Sequence, residues 1–379
     1  MQTNHRIVIG NANQLTAVAD QSIDLVVTSP PYPMIQMWDD IFCAADPAIK
    51  QMLQSSNVDD AFEAMHRLLD NTWKELRRVV KPGGIVCINI GDATRTIGGR
   101  FRLFGNHARI IAAFRELGLD QLPVIIWRKT TNAPNKFMGS GMYPPGAYVT
   151  LEHEYILIFR LGDMREFISP EQKQNRRESA YFWEERNIWF SDVWFDLIGT
   201  RQATNNNNKS RDRSAAYPFE LPYRLIQMFS VKGDVVLDPF LGTGTTMLAA
   251  MAGGRHSIGY EIDQNFQSVI LEKIAGLPKL ANQVLTNRLE QHEKFIQERI
   301  NKEKEIKHRN QYHLFPVVTR QEAELSFDWV EQIQFSGNDQ VKVIYTKQAA
   351  APAPLPDGPA KPPKKQSRKN QKPQQLEMF

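Results

Sequence analysis

Two loops some two hundred residues apart constrain this chain more than any other feature. Leu25-Val26-Val27 leads into Thr28-Ser29-Pro30-Pro31-Tyr32. Val235-Val236-Leu237 leads into Asp238-Pro239-Phe240-Leu241-Gly242-Thr243-Gly244-Thr245-Thr246. A short, wholly apolar run bounded by turn residues reads as a strand buried on both faces, which is what a helix-covered parallel sheet requires. The end of such a strand is where open α/β sheets hold ligands. The chain is therefore expected to build one large α/β domain with two ligand loops.

The second loop has the chemistry of a nucleoside site without a phosphate. Gly242 and Gly244 permit tight turning and close backbone approach ahead of a helix beginning at Thr245. The loop lacks the Gly-Lys-Ser/Thr ending of a phosphate-gripping P-loop and the full Gly-x-Gly-x-x-Gly dinucleotide pattern. The next strand, Ser257-Ile258-Gly259-Tyr260-Glu261, ends in an acid 23 residues after Asp238, the spacing at which a carboxylate reaches ribose hydroxyls. S-adenosyl-L-methionine has a ribose and no phosphate, so it suits this loop. Asp263 is a competing acid and is expected to cap the following helix.

The first loop suits an exocyclic base amine, a poor nucleophile because its lone pair is delocalised into the ring. Ser29 Oγ and the Pro30 carbonyl can accept its two N–H groups. Pro30 and Pro31 offer no competing N–H and hold the carbonyl at fixed φ. Tyr32 presents a flat face for an extruded base. Attack on a ring carbon would need a thiolate. Cys43, after Phe42, and Cys87, within a strand, read as inert packing residues.

Both motifs, in this order, resemble the amino-methylating DNA methyltransferases of the permuted (beta) class, over roughly residues 5 to 265. The resemblance implies a Rossmann-like α/β methyltransferase fold. Its sheet is open and mainly parallel, with helices on both faces, and is circularly permuted. The Ser-Pro-Pro-Tyr form is common among the cytosine-N4 enzymes of that family, and adenine-N6 methylation on the same scaffold stays open. By resemblance Ser29, Pro30, Pro31 and Tyr32 are catalytic. Asp238, Pro239, Phe240, Gly242, Gly244, Thr245 and Thr246 surround the methionine part of S-adenosyl-L-methionine, and Glu261 binds its ribose. Asn11 stands where the family usually has Asp after Gly, so it serves either the adenine side of the cofactor or a turn. The implied activity is site-specific methylation of double-stranded DNA within a restriction-modification system, with a cognate restriction endonuclease as a candidate partner. A catalytically silent DNA-binding or replication-associated protein is the competing class, and two intact motifs argue against it.

Three segments flank or interrupt this frame. Residues 161–216 lie where the family inserts target recognition. They carry Arg176, Arg177, Arg201, Lys209, Arg211 and Arg213, interleaved with Tyr181, Phe182, Trp183, Trp189 and Trp194; the last two are expected to be packing anchors. Residues 266–348 form an extension, with a charged, solvated helix over 282–309 and a small β-containing unit over 311–347. Residues 349–379 are Ala-, Pro-, Lys- and Gln-rich, a composition expected to stay disordered. They hold six Lys/Arg and two acids, without which cations and acids balance at 40 each, so any DNA surface on the body is a local patch. The ending Gln375-Leu376-Glu377-Met378-Phe379 resembles the peptide by which bacterial proteins dock on the sliding clamp, with Gln375, Leu376, Met378 and Phe379 as the docking residues.

Among the smaller elements, a helix is expected over about Val58 to Val80, stopped by Lys81-Pro82-Gly83-Gly84. Strands follow at Ile85–Ile90, Val124–Trp127 and His153–Phe159, and a second helix at Ala108–Leu117. No run approaches a membrane span, no metal-binding set is evident, and the two cysteines fit a reducing cytoplasm, where the resemblance implies association with the nucleoid.

Overall fold

The computed structural model describes residues 1–55, 57–129, 139–197 and 217–347. The expected DNA residues Arg201, Lys209, Arg211 and Arg213 and the docking residues Gln375, Leu376, Met378 and Phe379 lie outside these.

Nine of the eleven strands in the main sheet position the site. They are β1 (Gln2–Ile9), β2 (Ile23–Thr28), β3 (Val80–Ile90), β4 (Ile125–Arg128), β5 (His153–Leu161), β6 (Val235–Asp238), β7 (His256–Glu261), β8 (Trp329–Ser336) and β9 (Gln340–Thr346). In space they run β8-β9-β1-β7-β6-β2-β3-β5-β4. The five central strands, from β1 across to β3 in that order, are mutually parallel. The outer pairings β3–β5, β5–β4, β1–β9 and β9–β8 are antiparallel. The first strand of the chain thus sits beside residues 256–261, the arrangement of a permuted methyltransferase-like sheet.

Side-chain alternation assigns the two faces. On β2, Leu25 and Val27 join one core with helices α3 (Glu220–Phe229), α4 (Thr245–Ala252), α5 (Phe266–Ala275) and α6 (Leu277–Asn301). Val26 points into the other, with α1 (Val58–Val79) and α2 (Asn106–Glu116). Every residue of β2 is buried, the apolar run Leu25-Val26-Val27 as well as the polar Asp24 and Thr28 that flank it. Helix α1 carries Asp59 and Asp60 in its first turn and Arg77 and Arg78 in its last, which complements the helix dipole.

Two expected boundaries differ. Lys81 to Gly84 end the helix without becoming a loop: β3 already begins at Val80, and an irregularity in its pairing to β2 absorbs the glycines. The expected solvated helix over 282–309 is α6, which has a dry face. Ala281, Leu285, Arg288, His292 and Ile296 are buried along one stripe, masked in the sequence by surrounding charge. Much of the unit over 311–347 continues the main sheet, since alternating Val341, Val343 and Tyr345 bury one face of β9 against the core. Trp189 and Trp194 are buried anchors. No described helix is long and apolar enough to cross a membrane.

Candidate active site

β2 and β6 are neighbours, so the two sequence loops meet at one edge of the sheet, where strand order diverges. Thr28 Oγ1 donates to Asp238 Oδ1 at 2.6 Å. The Phe240 N–H donates to the same oxygen at 3.0 Å. Thr246 Oγ1 donates to the Val27 carbonyl at 3.3 Å and is hydrogen-bonded to the Tyr217 hydroxyl. Asp238 is buried, and burial raises its pKa above the usual carboxylate value. Its carboxylate therefore clamps one loop to the other. Pro239 is buried beside it, and Phe240 packs edge-on against Trp73.

On the first loop Ser29 and Tyr32 end a chain of hydrogen bonds. Ser29 Oγ is 3.1 Å from the Tyr32 hydroxyl, which donates to Glu154 Oε2 at 3.0 Å. Asn89 Nδ2 donates to both the Tyr32 hydroxyl, at 2.8 Å, and Glu154 Oε2, at 2.7 Å. Lys129 Nζ holds Glu154 Oε1 at 2.8 Å. Burial, reinforced by Glu154, pushes the Tyr32 pKa well up, so the phenol keeps its proton. Since the carboxylate can only accept, that proton belongs to Glu154, and Ser29 must donate its own to Tyr32. The remaining lone-pair capacity of Ser29 Oγ is then oriented to accept. Glu154, Asn89 and Lys129 escaped sequence reasoning. The signal available was the acid at the second position of a strand otherwise apolar in its interior.

The second loop turns through Gly242 (φ 54°) and Gly244 (φ 83°), and Gly244 opens α4, with Thr245 as its first residue. Leu241 packs so closely on Gly259 of β7 that a Cβ there would come within 2.5 Å of Leu241 Cδ1. The buried Glu261 carboxylate accepts the Gly242 N–H at 2.7 Å and the Asp263 N–H at 2.9 Å, so acid and glycine loop form one unit. Asp263 Oδ1 takes the Asn265 N–H at 3.0 Å in a turn just before α5, and the cap position expected of Asp263 is held by Asn265. Ile262, 62% exposed directly after Glu261, adds an apolar surface that sequence reasoning missed. Asn11 Oδ1 closes a turn on the Asn13 N–H at 2.9 Å, and Asn11 also lines a cleft of about 810 Å³ with Gly10, Gln14, Lys74 and Tyr260. A strand-end acid, a glycine loop and an exposed apolar side chain fit the ribose, amino-acid portion and base of S-adenosyl-L-methionine.

A two-stranded projection follows β3 at this edge. Ala93–Ile97 and Arg100–Phe104 form a hairpin turning at Gly98-Gly99, both at positive φ, a Gly-Gly signal that went unread in the sequence. Beside it Phe101 stacks on Tyr148 at 4.2 Å. Leu197 and Tyr217, the described residues either side of 198–216, are both anchored here. The Leu197 carbonyl accepts Trp127 Nε1–H at 2.9 Å, and Tyr217 lies against Asp238.

Arg176 and Arg177 are elsewhere. Their helix, Pro170–Glu178, docks on the opposite edge, where Asn175 Nδ2 donates to the Lys232 carbonyl ahead of β6. Arg177 is paired with Glu324 at 3.0 Å, and Arg176 lies over the Phe167 ring. A six-residue strand separates the two edges by roughly 17–20 Å. The sequence suggested no metal set, yet Glu184, His292 and Glu322 bring one potential ligand atom each to within 4.8 Å of one another. His292 Nε2 donates to the Pro316 carbonyl at 2.9 Å, and its Nδ1 is hydrogen-bonded to Glu184 at 2.6 Å, tying Trp183–Trp189 to α6. Burial pushes the Cys87 thiol far up and the Cys43 thiol up, which keeps both protonated.

The comparisons with known proteins agree with this geometry. A family model described as a DNA methylase of the N6/N4 type matches residues 23–272. The Type II methyltransferase M.MthZI of Methanothermobacter thermautotrophicus is 50% identical over 346 residues, covering 91% of this chain and 96% of the relative. M.MjaI, a Type II methyltransferase of Methanocaldococcus jannaschii, is 50% identical over 283 residues, with 72% and 91% covered. A putative DNA modification methylase of Thermus thermophilus, crystallised with S-adenosyl-L-methionine, superposes with TM-score 0.56 at 33% identity, covering 72% of this chain and 95% of that one. This chain belongs to the N6/N4 DNA methylase family and is a DNA methyltransferase.

Proposed function

We propose that this enzyme is the methyltransferase of a Type II system and modifies the exocyclic N4 of cytosine at a specific sequence in double-stranded DNA. Two relatives bearing the Type II description, each 50% identical, support the system. The base assignment rests on Ser29, a neutral hydroxyl at the head of the catalytic loop whose proton is committed to Tyr32.

S-adenosyl-L-methionine, when bound, supplies a methyl group carried on a sulfonium. Glu261 and the loop from Asp238 to Thr246 hold it. Ser29 Oγ and the Pro30 carbonyl accept the two N–H groups of the target amine, which favours a pyramidal nitrogen with its lone pair available. Tyr32 stacks against the base, while Asn89, Glu154 and Lys129 fix Tyr32 as a donor. Positioning supplies much of the rate, because an oriented pair of reacting atoms at about 3–3.5 Å avoids the entropy cost of their encounter. The basic segment 198–216 contributes to DNA recognition, since both of its described flanks are anchored at this edge.

Digesting methylated DNA to nucleosides tests the base. N4-methylcytosine is the expected product. N6-methyladenine alone would replace the base assignment and leave the family intact.

A further inference from the structure

The loop between β4 and β5 begins and ends at the catalytic edge, where the Lys129 N–H donates to the Glu152 carbonyl at 2.8 Å. Its described part, residues 139–151, carries no charged side chain. Gly139 bridges to Ala147, the Ser140 N–H donates to the Gly146 carbonyl at 2.9 Å, and Ser140 Oγ donates to the Tyr143 carbonyl. Pro144 and Pro145 fix φ at two further positions. This closed loop presents Met142 and Tyr143 at its tip, 82% and 78% exposed, and Tyr148 on its return arm is braced by Phe101 of the hairpin. Large apolar side chains held out together in this way mark a surface that a partner covers.

The partner's chemistry follows from what surrounds the tip. Arg100 stands exposed at the turn of the bracing hairpin, where a phosphate can meet it beside a neutral, apolar point, whereas Arg128 at the foot of the loop is paired with Glu152 at 2.9 Å. Ser29, by contrast, is half-buried at the end of β2, so a base within a stacked duplex must leave the stack to reach it. Extrusion opens a hole the thickness of one base. Met and aromatic side chains are the type that proteins insert between base steps.

We propose that Met142 and Tyr143 form a wedge that enters the duplex and fills the gap left by the extruded target base. The proposal rests on the reading of double-stranded DNA as substrate.

The test compares the wild type with Met142→Gly/Tyr143→Gly on two duplexes of one recognition sequence. In one the target base is paired, and in the other it lies opposite an abasic site, so that it is already loosened. The site is taken from sequencing DNA that the wild type has methylated. The wedge predicts at least about a tenfold loss of turnover on the paired duplex, a loss within about twofold on the loosened one, and unchanged affinity for S-adenosyl-L-methionine. Tyr143→Trp should keep most of the activity on paired DNA. An equal loss on both duplexes, or no loss on either, overturns the wedge. Should the double variant fail to fold, Tyr143→Ala alone decides by the same ratio. A wild type that methylates no duplex would overturn the functional reading and the wedge with it. An active wild type matched by its variant sinks the wedge alone.

Discussion

The two edges of the central sheet are both polar, and they use polarity for opposite ends. At the N-terminal edge, acids and bases are matched to one another. Asp24 takes Lys81 at 2.8 Å and the Val235 N–H at 2.9 Å, Arg165 holds Asp234 at 2.7 Å, and Lys232 meets Asp328 at 2.5 Å. At the catalytic edge the chain Lys129–Glu154–Tyr32–Ser29 is neutralised at its charged end and finishes at a half-buried hydroxyl. Charge closed on itself holds strands in place, whereas a hydrogen-bond chain that stops at a reachable oxygen can do chemistry. Basic composition alone does not distinguish the two.

Substitutions should separate the edges. The largest effect is expected from Ser29→Ala, which should cut turnover about a hundredfold or more with nearly unchanged affinity for S-adenosyl-L-methionine, measured by single-turnover kinetics and calorimetry. Turnover within a few-fold of wild type would remove Ser29 from the chemistry. At the other edge, Arg165→Ala leaves Asp234 buried without its cation. Because Arg165 is itself partly solvated, a loss of about 2 kcal/mol in denaturant unfolding is expected, with turnover at low temperature preserved.

A pH titration probes the support beneath the catalytic loop. Asn106 Nδ2 donates to the Pro33 and Gly91 carbonyls, and its Oδ1 takes the proton of buried His66 Nε2 at 3.0 Å. Burial lowers the His66 pKa from 6.5 to about 3. The folded protein therefore refuses a proton that the unfolded chain accepts. This contribution is intact above about pH 6.5, falls by about 2 kcal/mol by pH 5 and continues to fall towards pH 3. Melting of wild type and His66→Gln at pH 7 and pH 5 should show the smaller drop in the variant; equal drops would clear His66 of this role.

Glu154→Gln should lower turnover about tenfold, since the amide can turn a donor towards Tyr32 and disturb the orientation of Ser29. An unchanged rate would show that Ser29 needs no such orientation. The smallest effect is reserved for Arg177→Ala, where DNA affinity by anisotropy should stay within about twofold of wild type. A loss beyond fivefold would mean that the duplex reaches the far edge.

The central fold could be read in advance because its strands are short apolar runs with no alternative period, and the two loops carry residues that only a ligand site explains. That Glu261 would stand beside the glycine loop was readable from its distance to Asp238. Glu154 was not, since its importance comes from Tyr32, 122 residues away in sequence and 3.0 Å away in space. The buried stripe of α6 was hidden because two of its members, Arg288 and His292, are polar residues buried with partners, Arg288 on Glu185 and His292 on Glu184. Arg176 and Arg177 are the converse case: local basicity says nothing about which end of a strand it will face, and theirs is the N-terminal end.

The position of β1 has a further consequence for how the molecule is made. His5 pairs with Ser257 on one side and with Val341 on the other, so β1, once made, has no sheet neighbour until some 250 residues later. At common synthesis rates that wait is roughly 12 to 50 s. During it, residues 2 to 129 can bury helices α1 and α2 against β2 and β3, but the edges of β1 and β2 that later receive β7 and β6 stay open. The clamp between Thr28 and Asp238 cannot form until both halves have emerged. A nascent chain thus acquires its catalytic geometry only after β6 has followed β2 out of the ribosome, and its open strand edges during that interval are sites where a chaperone or a mispaired neighbour would bind first.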